Sequence, residues 1–226
     1  LSRTSSIAAS LTANKGRFAA ELVGTFLVVV FATGSVVIDA QAGGAYGTPF
    51  AAVAPTIAVA VSVYAFGKVS MAHFNPAVTV AFFITKHISK AQLPVYLGAE
   101  MIGAVLGSLF VMAFVGTEAD LGANAPDYSF PLPLIIAVEV LATGLLMAVI
   151  YVVVYTKGLK GFSGIAIGGI VGLDILFLSF ISGASMNPAR SFAPAVFSGA
   201  VGDLWLYWSA TFIGSSTVAF IAGKRL

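Results

Sequence analysis

Two triplets of identical composition stand 112 residues apart, Asn75-Pro76-Ala77 and Asn187-Pro188-Ala189, and the second is followed at once by Arg190. An asparagine amide offers two N–H donors and a carbonyl acceptor and stays neutral, so a pair suits hydrogen bonding to an uncharged solute, not proton transfer or nucleophilic attack. Proline fits the first turn of a helix, where its missing N–H has no intrahelical partner, and this puts Asn75 and Asn187 at N-cap positions. Capping alone would account for one such asparagine; two in matching segments, one with a cation beside it, point to a shared site. Two acids repeat at a similar distance: Glu21 precedes Thr25 by four residues as Glu139 precedes Thr143. They could relay protons, or accept N–H groups of backbone that has no other partner. The chain has no cysteine, which removes thiol catalysis and disulfides. No catalytic, nucleotide or metal-ligand set is visible, so the sequence reads as a non-enzyme without a cofactor.

The elements that carry these residues follow from composition. Of 226 residues 59% are apolar and 9% charged, with a mean hydropathy of +1.01, whereas a soluble domain carries about 25% charged residues to hydrate its surface. Lipid is the expected solvent. Six apolar runs approach or exceed the ~20 residues of a membrane span: 18–38, 50–66, 94–115, 131–155, 162–181 and 204–222. Two further runs, 73–85 and 185–196, are about half that length and contain Pro76 and Pro188 early. They read as half-helices over 75–85 and 187–196. At 1.5 Å per residue the pair covers ~30 Å, the thickness of the hydrocarbon core, so they can enter from opposite faces and meet tip to tip. Irregular backbone at that depth survives only against protein or a watery cavity, so a cavity is implied. There the two amides face a common axis beside two positive helix ends; a water oxygen can accept from both, while a hydronium ion meets positive potential from both sides.

Charge sets the orientation. Arg3, Lys15, Arg17, Lys68, Lys86, Lys90, Lys157, Lys160, Lys224 and Arg225 fall in the tail 1–17, two loops and the carboxyl tail. The positive-inside rule makes these segments, and both termini, cytoplasmic. The opposite loops, including the connecting segment 116–131, hold Asp39, Glu118, Asp120, Asp127 and Asp203, with Arg190 as the one cation on that side. Three spans in 18–115 and three in 132–226 make the second half lie upside down relative to the first. The expected fold is an all-α membrane protein, multi-pass in the cell membrane, with six transmembrane helices plus two re-entrant half-helices in an inverted repeat. Gly98, Gly103, Gly107, Gly164, Gly168 and Gly172 read as close-packing surfaces between helices. A net charge of +2 without a basic patch excludes nucleic acid. The partners are the lipid bilayer and a small solute. A proton-coupled secondary transporter, which also uses inverted repeats and broken helices, is the alternative, with the embedded acids as its machinery.

Over nearly its whole length the sequence resembles the aquaporins, the major intrinsic protein family, and within it the microbial and archaeal water-channel branch. The likeness lies in Ala20-Glu21-Leu22-Val23-Gly24-Thr25-Phe26, His73-Phe74-Asn75-Pro76-Ala77-Val78-Thr79 and Asn187-Pro188-Ala189-Arg190-Ser191-Phe192. The resemblance implies a homotetramer with one pore per subunit, passing water and small neutral solutes such as glycerol or hydrogen sulfide and excluding protons and ions. It implies that Glu21 and Glu139 accept backbone N–H groups of the re-entrant loops, and that Glu100, where the family usually carries Gln, supports the same loops. By distance from the two motifs, the positions resembling the family's aromatic/arginine filter are Pro55, Ile175, Ala184 and Arg190. Water-selective members usually place an aromatic ring and a His at the first two, so a wider, more apolar opening is expected here, with Phe50 the nearest ring that could swing in. Ser191, where glycerol facilitators carry Asp, and Ala195, Tyr207 and Trp208 resemble the water branch. Ala184 also occupies the place of the mercury-reactive cysteine of many members.

Overall fold

The structure is a computed structural model and describes residues 14–224; Arg3, Arg225 and most of the expected tail lie outside the described residues. In chain order the helices are α1 (Lys15–Gln41), α2 (Gly47–Ser70), α3 (Pro76–Ile84), α4 (Leu93–Phe114), α5 (Leu132–Tyr155), α6 (Ser163–Ser182), α7 (Pro188–Ser198) and α8 (Leu204–Ala222). The six other than α3 and α7 are long and apolar enough to cross a membrane. The short pair, 9 and 11 residues long, each start at a proline behind an asparagine cap.

Three boundaries differ from the sequence reading. Helix α1 begins at Lys15, so the polar tail ends before residue 17. Helix α2 begins at Gly47, ahead of Phe50, because Pro49 lies in the first helical turn, where no N–H is needed, and does not break the chain. The connecting segment 116–131 is not plain loop. Ala119, Asp120 and Leu121 have φ of 49°, 51° and 58°, forming a left-handed turn over Glu118–Gly122 that buries Leu121 against Val37 and Val111.

The helices approach closely where side chains are absent. Helix α1 packs on α4 and α2, α2 on α6, and α5 on α8 and α6. A Cβ on Gly107 of α4 would stand 3.0 Å from the Phe26 carbonyl of α1, and one on Gly103 would overlap that of Leu22. The inverted counterpart is Gly214 of α8 against the Val140 carbonyl of α5. Gly164 and Gly168 of α6 lie on the Ala60 and Thr56 carbonyls of α2 and Gly172 on the Thr56 hydroxyl, whereas Gly98, grouped with them by sequence, faces open space. In lipid, association depends on such packing because apolar surface alone gains nothing there. The outer faces remain apolar, with Val53, Ile57 and Val61 on α2 and Ile165, Phe177 and Phe180 on α6 all more than half exposed.

Candidate functional site

Each half-helix is preceded by a loop of the same shape. Met71, Ala72 and Phe74 have φ of 69°, 56° and 52°; Gly183, Ala184 and Met186, 112 positions on, have 82°, 42° and 55°. Left-handed backbone costs an L residue ~1–2 kcal/mol, and only Gly183 escapes that cost. Hydrogen bonds offset the rest. Glu21, buried in α1, accepts from the backbone N–H of His73 at 3.0 Å and of Phe74 at 2.6 Å. Glu139, buried in α5, accepts from Ser185 at 3.2 Å, Met186 at 2.6 Å and the Ser182 hydroxyl at 2.9 Å. The start of each loop is clamped by a tyrosine: Tyr96 donates to the Ser70 carbonyl at 2.8 Å, and Tyr207 to that of Ser182 at 2.7 Å. Tyr96 escaped the sequence reading, although its 111-residue separation from Tyr207 was a usable signal.

The loops bring the two asparagines tip to tip. Asn75 Oδ1 accepts from the Ala77 N–H at 2.9 Å; Asn187 Oδ1 accepts from Ala189 at 3.0 Å and Arg190 at 3.3 Å. Their amide nitrogens cross-brace the repeats, Asn75 Nδ2 donating to the Met186 carbonyl at 2.7 Å and Asn187 Nδ2 to that of Phe74 at 2.9 Å. One N–H of each amide is thus spent on protein, and the second remains for the cavity that both residues line. Pro76, Pro188, Ala77 and Ala189 are buried behind the tips.

A second hydrogen-bonded chain braces each half-helix from its side. In the first repeat His73 Nδ1 meets the Thr79 hydroxyl at 2.8 Å, and Thr79 donates to Glu100 Oε1 at 2.5 Å. Glu100 therefore reaches the half-helix through a hydroxyl. In the second repeat the Ser185 and Ser191 hydroxyls bond each other, and Ser191 donates to Asn124 Oδ1 at 3.1 Å. His73 also stacks on Phe82, with centroids 4.6 Å apart and planes 4° from parallel.

A cavity of about 340 Å³ runs past the asparagines, with Asp39, Gly47 and Thr48 toward one end and Val63, Ile150 and Ile167 toward the other. Pro55, Ile175, Ala184 and Arg190 all line it. Phe50 does not supply the missing ring: it lies outside the lining and packs on Tyr46 with centroids 5.2 Å apart. Arg190 donates through Nη1 to Asn124 Oδ1, a contact that sequence reasoning missed. Ser191, Ala195 and Tyr207 are buried behind the lining, and Trp208 packs on Phe192 and Phe212. Asp174 is buried in α6, away from the lining, and its Oδ2 has no hydrogen-bond partner among the described residues.

The family model described as major intrinsic protein matches residues 8–222. This chain belongs to the major intrinsic protein family. It is similar to aquaporin NIP3-1 of Arabidopsis thaliana, at 37% identity over 216 residues, which cover 90% of this chain and 65% of that protein. It is also similar to glycerol uptake facilitator protein-like 6 of Lactiplantibacillus plantarum, at 37% identity over 212 residues, covering 91% of this chain and 96% of that one. The fold matches the X-ray structure of the aquaglyceroporin from Plasmodium falciparum with a TM-score of 0.80 at 22% identity, covering 93% of this chain and 96% of that chain. As a member of the major intrinsic protein family the chain is a multi-pass membrane channel and not an enzyme.

Proposed function

We propose that this chain is a passive pore for water which also admits small neutral solutes, of the size of glycerol or hydrogen sulfide, at a lower rate, and excludes protons and ions. It works as a homotetramer in the cell membrane, with both termini cytoplasmic. The observation that carries the reading is the composition of one cavity. Its polar lining at the half-helix tips includes two cross-braced asparagines and one arginine held by Asn124, while Pro55, Ile175 and Ala184, which line the same cavity as Arg190, offer no side-chain donor. A solute entering there exchanges hydration for few replacements, which favours small neutral molecules over ions. The absence of a ring and an imidazole at the first two positions widens the opening. The relatives named above, an aquaporin and a glycerol uptake facilitator protein-like protein, support a range that includes both solutes.

Sealed proteoliposomes test this. Wild-type protein should raise water flow well above empty vesicles and give measurable glycerol flux, and Ile175→His should lower glycerol flux at least severalfold while the water rate falls less. Wild-type glycerol flux equal to that of empty vesicles would overturn the wide-filter reading.

A further inference from the structure

The segment that joins the two repeats reaches into the pore. It is fixed at both ends: Leu121 is buried, Gly122, with φ of +67°, lies on the Thr33 backbone, and the Asp127 N–H donates to the Ile181 carbonyl at 3.0 Å. Between them the chain presses on Gly183, whose added Cβ would stand 3.0 Å from the Ala125 carbonyl. This delivers the side chain of Asn124 to the cavity wall. There its Oδ1 accepts from the Arg190 guanidinium and, at 3.1 Å, from the Ser191 hydroxyl, while its Nδ2 donates to the Gly183 carbonyl at 2.8 Å. The amide can stand only one way round, because a guanidinium is all donor and a carbonyl all acceptor.

Resting on the pore reading above, we propose that Asn124 is a positioning residue of the filter, a neutral amide that holds Arg190 in one place beside Gly183-Ala184 without cancelling its charge. The comparison between repeats sharpens this. The half-helix hydroxyl Thr79 donates to a carboxylate, Glu100; its counterpart Ser191 donates to an amide. Arg190 follows α7's cap and has no counterpart cation in α3, where position 78 is Val. A carboxylate at 124 would grip the guanidinium in the same geometry but neutralise it, and the barrier to a second cation falls with the net charge at the constriction. An alkyl side chain would release a long, rotamer-rich arginine into the opening.

The test uses full-length protein in proteoliposomes and planar bilayers, with folding checked by elution profile. Asn124→Asp should raise potassium permeability relative to water permeability at least tenfold. Asn124→Ala should shift the glycerol-to-water permeability ratio severalfold in the wild-type background and leave it unmoved in an Arg190→Val background, because it acts through Arg190. Potassium exclusion by folded Asn124→Asp equal to that of wild type would overturn the proposal. An Ala effect that persists undiminished without Arg190 would do the same, showing a merely structural role, and this cycle decides alone if the Asp variant does not fold. Absence of water flow through wild type would instead overturn the pore reading itself.

Discussion

Arg190 is the one arginine or lysine among the residues that line the cavity, and the partner of its guanidinium leaves that charge uncancelled: a neutral amide, Asn124, accepts from it. Two like charges 4 Å apart at an effective dielectric of 20 repel by about 4 kcal/mol, roughly a thousandfold in occupancy by a cation. Arg190→Val should therefore conduct protons or alkali cations in voltage-clamped bilayers while still passing water; proton conductance unchanged from wild type would refute the electrostatic role. One turn of loop earlier, Ala184 lies on the same wall with φ of 42°, a backbone strain that alanine and cysteine bear equally. The chain has no cysteine, so water flow should resist mercury, and Ala184→Cys should make it sensitive, reversibly by thiol. Strong block of the wild type would show a route of inhibition that does not use a thiol.

The half-helices depend on acceptors placed on other elements. Glu139 of α5 holds two loop N–H groups and a hydroxyl, and Glu21 of α1 holds two N–H groups. A glutamine at either place keeps one acceptor oxygen and turns an NH₂ toward a backbone N–H, leaving a buried donor unpaired at a cost of about 1–3 kcal/mol. Glu139→Gln should lower the midpoint of thermal unfolding in detergent, with transport falling only as the folded fraction falls. Loss of transport from fully stable Glu139→Gln would point to proton relay instead. The asparagine caps, the N1 prolines and the half-length runs were legible because a cap and a hydrophobic length are local properties. The braces were not. Tyr96 acts on Ser70, and Asn124 acts on Gly183 and Arg190, through contacts between residues far apart in sequence and set by packing, with no periodicity to announce them. Local signs also misled: Pro49 reads as a breaker yet sits in the first turn of α2, and Gly98 shares an apolar run with Gly103 and Gly107 but meets nothing.

Across the whole molecule the two halves repeat the framework of the half-helix loops. The loops, their carboxylates and their tyrosine clamps match at separations of 112, 118 and 111 residues, and the asparagine amides tie one repeat to the other at the point where α3 and α7 meet. A transporter that alternates between open faces must rock one repeat against the other around this point. Here such rocking would part the Asn75–Met186 and Asn187–Phe74 bonds together, leaving two buried amides and two carbonyls unpaired at about 1–3 kcal/mol for each group. Of the acids that could couple such a cycle to protons, Glu21 and Glu139 are engaged with loop backbone and Glu100 through Oε1 with Thr79, while Glu100 Oε2 and Asp174 Oδ2 have no hydrogen-bond partner among the described residues. A molecule locked at its midplane carries solute only down a gradient. Proteoliposomes loaded at equal glycerol inside and out should therefore show no net uptake when an inward proton gradient is imposed, and the rate of exchange should match that measured without the gradient. Accumulation of glycerol above the external concentration under that gradient would overturn the passive mechanism and return Glu21, Glu100 and Glu139 to the centre of a coupled one.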